Sequence, residues 1–146
     1  MSDETAPEPG IDFDALSAPF EPSTVHWRPG YIKQGGKEGI ALAYVDARDV
    51  QDRLDAVCTP GGWKCEHKEV AGRLVCTLSL RILREDGSYE WVGKEDGAGD
   101  TAIEGEKGGL SDALKRAAVQ FGIARYLYRL PDVWVKINNN RPESLA

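Results

Sequence analysis

The chain contains no long apolar run; its apolar stretches extend only a few residues, well short of the roughly 18 to 20 needed to cross a bilayer. The first ten residues, MSDETAPEPG, have neither a basic group nor an apolar segment, so no secretory leader or membrane span is expected and the cytoplasm is the expected compartment. Cysteine is scarce and odd in number: Cys58, Cys65 and Cys76 form no CxxC pair, which excludes a disulfide framework and leaves reduced thiols serving as small core residues. Structural zinc usually draws on paired short spacings. Here Cys58, Cys65, His67 and Cys76 offer only one adjacent pair, Cys65 and His67, on a shared strand face, so no metal is expected. Histidine is limited to two residues, and His26 stands beside Trp27 with no serine or cysteine nucleophile motif near it, so no catalytic triad is expected.

Phosphate cradles are also missing. Gly97, Gly99 and Ala102 fit GxGxxA, but that pattern binds dinucleotides only within a parallel βαβ unit, and the flanking strands here read as antiparallel. The segment GEKGG, residues 105–109, lacks the GK[ST] ending of a P-loop. Residues 97–109 therefore read as a flexible connection, with no nucleotide cofactor and no enzyme activity expected.

What the chain does have is an uneven charge distribution. Its net charge of -6 argues against a polyanionic partner until it is divided. Asp3, Glu4, Glu8, Asp12, Asp14 and Glu21 lie in the first 22 residues, which hold no Lys or Arg. The rest is balanced, with 18 basic groups against the remaining acidic ones. From Lys107 to Arg129 five cations face one carboxylate, Asp112, and local sign decides where a polyanion docks.

At 146 residues and 41% hydrophobic content the chain suits one domain, set at residues 11–137 between tails at 1–10 and 138–146 that read as disordered. Residues 11–20 predict a short helix, Pro29-Gly30 a turn, Gly35-Gly36 a loop and residues 39–45 a strand. A helix from Asp46 to Cys58 follows, with Asp46 and Asp49 at its start. Strands are expected at 63–70, 74–83 and 89–95, joined by Ala71-Gly72 and Asp86-Gly87 turns, with Leu74, Cys76, Leu78, Leu80 and Ile82 on one face. A long helix over Ser111–Leu130, bent at Gly122 and ended by Pro131, and a short strand at 132–137 complete an α+β domain: an antiparallel β-β-β-α core with a long C-terminal helix.

On that helix Leu110, Leu114, Ala117 and Phe121 form one apolar stripe. Lys115 and Arg116 fall off it, about 100° apart, where both extend across the exposed flank. Taken alone, such a pair reads as a solvated helix face before it reads as a ligand site. The helix–meander–helix order also suits a double-stranded RNA or duplex-binding module, although such modules place their cations at the start of the last helix.

Several motifs together resemble the annealing domain of the Rad52 single-strand annealing family, in the bacterial DNA-damage-response and phage branches. They are YVDARDV at 44–50, Gly62-Trp63, Asp86-Gly87-Ser88-Tyr89 and SDALKRA at 111–117 with Phe121-Gly122, together with WRPG at 27–30 and FGIARYLYRLP at 121–131. The resemblance implies subunits assembled into a homo-oligomeric ring, with single-stranded DNA in a basic groove. It places Arg48, Lys115 and Arg116 on backbone phosphates; Lys107 and Arg125, from the same basic stretch, are further candidate contacts. It further implies annealing of complementary strands in recombination and repair, with recombination proteins as possible partners. The sequence departs from the family at Val119, where another basic residue often follows the Lys-Arg pair by one turn, and at Glu85, where a lysine of a second, outer DNA site is expected. Trp63 reads as a core or interface residue more than as a base-stacking platform.

Overall fold

The computed structural model describes residues 10–98, 106–138 and 141–142, in the order α1 (Phe13–Leu16), β1 (His26–Ile32), β2 (Glu38–Tyr44), α2 (Ala47–Cys58), β3 (Trp63–Val70), β4 (Arg73–Leu83), β5 (Tyr89–Gly97), α3 (Glu106–Val119), β6 (Val133–Asn138) and the two-residue β7 (Arg141–Pro142). The class is α+β. Two antiparallel sheets form, one ordered β3-β4-β5 and the other β1-β2-β6-β7. The first sheet and α3 together make the expected β-β-β-α core.

Local chemistry accounts for the meander. Ala71 and Gly72 both take positive φ, 53° and 80°, which is the backbone of a tight type I′ hairpin turn. At the next hairpin Gly87 has φ +88° and the Ser88 N–H donates to Asp86 Oδ1 at 2.9 Å. Strict alternation along β4 then sends Cys76, Leu78 and Leu80 to one face, where none is exposed. α3 lies on that face through Ala113, Leu114, Ala117 and Ala118, and the three alanines admit a close approach. α2 adds Val50 and Leu54, and α1 adds Leu16. Each fully buried leucine here stabilises the fold by roughly 1.5–3 kcal/mol.

Besides the burial of Leu16, one polar side chain holds α1 and the segment after it. The Arg53 guanidinium, on α2, donates to the carbonyls of Leu16 at 2.9 Å and Ala18 at 2.7 Å and stacks 4.0 Å from the Phe20 ring centroid. Burial lowers the pKa of Arg53 from its ordinary value. α2 begins as expected at Asp46, whose N–H donates to Asp49 Oδ2 at 2.9 Å.

Three features differ from the sequence reading. Pro29-Gly30 is not a turn: it lies inside β1, at the sheet edge, where a missing N–H breaks no ladder and the register shifts between Pro29 and Tyr31. A Cβ at Gly30 would stand 2.5 Å from the partly exposed Leu42 side chain, which would have to turn away to admit it. The segment before the long helix is also shorter than expected, because α3 already includes Glu106–Gly109.

The long C-terminal helix is the third correction. α3 stops at Val119 instead of running to Leu130, and Gly122 is its terminator, not a bend. With φ +99° at Gly122, the Gly122 N–H bonds Val119 O at 2.9 Å and the Ile123 N–H bonds Ala118 O at 3.2 Å, the paired bonds of a Schellman cap. Ile123 is then fully buried, and Arg125–Arg129 forms a separate 3-10 turn. The apolar stripe shifts accordingly: Ala113 and Ala118 join it, while Leu110 is 40% exposed. Among the described residues no helix is long and apolar enough to cross a membrane.

Candidate nucleic-acid groove

Antiparallel pairing puts alternate residues of β1 and β2 on one face. Arg28 pairs with Leu42 and His26 with Tyr44, so these four side chains share a side. α3 runs past that side, and between them lies a groove of about 310 Å³. Arg28, Leu42 and Tyr44 line it from the sheet, Asp112, Lys115, Arg116 and Val119 from α3, and Leu127 and Tyr128 from the 3-10 turn.

Lys115 and Arg116 behave differently within it. Lys115 is half-buried and its Nζ lies 5.5 Å from the Tyr44 ring centroid, a cation–π contact that holds the ammonium at the wall. Arg116 is exposed, and its Nε donates to Asp112 Oδ2 at 3.1 Å, one helical turn away. The lining thus holds three cations, Arg28, Lys115 and Arg116, against two carboxylates, Asp112 and Asp132. Exposed pairs of this kind are worth about 0–1 kcal/mol, so a phosphate can displace the carboxylate from Arg116.

The other expected contacts are placed as follows. Arg48 is exposed in the first turn of α2; it does not line the groove, although Val45 and Val50 on either side of it do. Arg125 bonds backbone instead: its Nε donates to Val119 O, which also accepts the Gly122 N–H, and its Nη2 donates to Gln120 O, which also accepts from Lys94 Nζ, both at 3.0 Å from Arg125, so it reinforces the end of α3. The Lys107 side chain lies outside the described residues, as does most of the Gly97–Ala102 pattern. Trp63 packs against the core with its indole N–H donating to Asp55 Oδ1 at 2.8 Å.

Arg28, Tyr44 and Tyr128 were missed as groove residues. Arg28 was hidden by the turn reading of WRPG; a strand there would have put it on the Tyr44 face. Tyr128, 71% exposed, was hidden by extending the helix past Val119. Val119 itself lines the groove, so the position where the family often adds a cation is at the site. At the β4–β5 hairpin Glu85 is exposed, and the neighbouring Arg84 is ion-paired with Glu90.

Away from the groove, burial pushes the thiol of Cys58 up to about 11 and that of Cys76 up to about 12. Both are neutral at physiological pH. The donor atoms of Cys65, His67 and Cys76 all lie within 4.8 Å of one another, which the sequence spacing did not suggest.

Comparison with known proteins gives this geometry its context. The chain is similar to two proteins named single-stranded DNA-binding protein DdrA. One, from Deinococcus deserti, is 44% identical over 135 residues, covering 90% of this chain and 63% of the relative. The other, from Deinococcus radiodurans, is 43% identical over 126 residues, covering 86% of this chain and 59% of the relative. The chain therefore spans about three fifths of the length of these curated relatives. The model of the Rad52/22 family of double-strand break repair proteins matches residues 13–145, a span that includes every described groove residue. The chain belongs to the Rad52/22 family.

Proposed function

We propose that this protein binds single-stranded DNA without reading its sequence and promotes annealing of complementary strands in recombination and repair. The observation that carries this is the groove itself: Lys115 and Arg116 on α3 and Arg28 on β1 converge on one channel walled by Tyr44 and Tyr128. Cations so placed grip phosphates, whose charge is the same along any sequence, and leave base edges free to meet a second strand. Exposed tyrosine adds a surface on which any base can stack. The relatives' description as single-stranded DNA-binding proteins agrees with that chemistry.

Lys115, Arg116 and Arg28 are the primary phosphate contacts in this reading. Arg48, exposed in the first turn of α2 and outside the groove lining, is a secondary phosphate contact. Lys107 is a further candidate contact on charge alone, and Arg125 acts chiefly by fixing the end of α3. Repetition of residues 11–137 as one unit in a homo-oligomeric ring would join the grooves of successive copies into a continuous track. Such a protein works without a nucleotide cofactor and without catalysis, on chromosomal strands in the bacterial cytoplasm, where other recombination proteins are its potential partners.

The test is a competition between an unlabelled duplex and a labelled single strand of the same sequence, followed by an annealing assay with complementary oligonucleotides. Preference for the single strand with accelerated annealing is expected. Preference for duplex, without annealing, would favour a duplex-binding module.

A further inference from the structure

Two adjacent strands of the meander bring together donors that are separated in the sequence. His67 on β3 sits directly opposite Cys76 on β4, and Cys65 lies two residues before His67, so the pleat projects all three onto one side of the sheet. We propose that Cys65, His67 and Cys76 form a binding site for a thiophilic divalent cation, with zinc the ion that this donor set matches best.

The donor atoms are within 4.8 Å of one another. Zinc–sulfur bonds of about 2.3 Å and zinc–nitrogen bonds of about 2.0 Å would set tetrahedral donors roughly 3.5–3.8 Å apart, so side-chain rotation of about 1 Å closes the site without moving the strands. Binding would displace the protons of both thiols, and the resulting two thiolates with one imidazole leave a fourth position for water. The set is soft enough to discriminate against magnesium and calcium, which take oxygen donors.

The surroundings also fit. His67 Nε2 is 3.3 Å from the Leu110 carbonyl, and an imidazole that donates from Nε2 keeps the Nδ1 lone pair for a metal. Bonding of the second ring nitrogen to a backbone carbonyl is the usual support for a metal-bound histidine. Access is graded: Cys76 is fully buried, Cys65 half-buried and His67 exposed, so an ion enters from the histidine side. Leu110 belongs to α3, five positions before Lys115, so a bound ion would tie β3 and β4 through His67 to the helix that holds the groove cations.

The experiment uses the full chain, reduced and stripped with a chelator, then titrated with zinc chloride by calorimetry and with cobalt chloride by absorption. One ion per chain is expected, with a thiolate-to-cobalt charge-transfer band in the near ultraviolet. Cys65→Ser and His67→Ala should each weaken binding at least tenfold, whereas Cys58→Ser, outside the cluster, should leave it unchanged. Circular dichroism accompanies each variant. Should a cysteine variant lose its fold, His67→Ala decides, because that ring is exposed. Absence of saturable binding and of the cobalt band, or binding that persists unchanged in His67→Ala, would overturn the proposal.

Discussion

Lys115 Nζ stands 5.5 Å from the Tyr44 ring centroid, so a cation of α3 and an aromatic of β2 meet across the groove. The contact orients an ammonium that would otherwise sweep a wide arc, and it joins the two walls on which the proposed DNA contact depends.

Tyr44→Leu tests that orientation. The variant keeps an apolar wall and loses the ring quadrupole, whose worth at a partly exposed site is about 0.5–1 kcal/mol. Affinity for single-stranded DNA should fall a few-fold in fluorescence anisotropy titrations while the far-ultraviolet spectrum is unchanged. Unaltered affinity would show that the contact does not position Lys115.

Val119→Arg probes the family difference. Val119 lines the groove one turn after Lys115 and Arg116 and is only half-buried, so a longer side chain can reach outward. A further phosphate contact should tighten single-strand binding and steepen the log–log salt dependence by about 0.7. An affinity that stays the same or drops in a folded variant would place the strand away from this stretch of α3.

Arg53→Met concerns stability rather than binding. Arg53 bonds carbonyls of α1's last residue and of the segment after it and stacks on Phe20, and hydrogen bonds from charged groups contribute about 1.5–3 kcal/mol each, less where solvent reaches them. A loss of about 2 kcal/mol in urea denaturation is expected. A change near zero would mean that α1 is held by apolar contacts such as Leu16 alone.

The buried thiols predict alkaline sensitivity. In the fold Cys58 is raised to about 11 and Cys76 to about 12, from an ordinary 9.0, so the unfolded chain loses these protons first. Between pH 9 and 11 the native state binds more protons than the unfolded state, and stability falls as pH rises. This contribution is complete below pH 9. In the chelator-treated, metal-free protein, urea midpoints should therefore decline more steeply above pH 9 in the natural chain than in Cys76→Val, and equal slopes would contradict the assignment.

The meander was legible because its signals are local: Ala71-Gly72 and Asp86-Gly87 fix two turns, and alternation from Leu74 to Ile82 fixes the buried face. The Lys115-Arg116 pair was legible for the same reason, from helical periodicity. β1 was not, because Pro29-Gly30 reads as a turn unless the edge position and the Leu42 packing are known. The end of α3 was misplaced because Phe121-Gly122 fits both a bend and a Schellman cap, and only the burial of Ile123 separates them. The meeting of Cys65, His67 and Cys76 depends on strand register, which short spacing rules do not capture. Arg125 showed its charge in the sequence but not its carbonyl partners, which exist only once α3 has ended.

The central claim is that Lys115 and Arg116 grip the phosphate backbone. It is tested most directly by single-strand binding and annealing of Lys115→Ala/Arg116→Ala, measured over a range of salt concentrations with the oligomeric state checked by light scattering. Annealing should be lost, residual binding should weaken, and its log–log salt slope should be shallower by about 1.4, the share of two phosphates, with the assembly unchanged. Full annealing and an unaltered slope in a correctly assembled double variant would contradict the account.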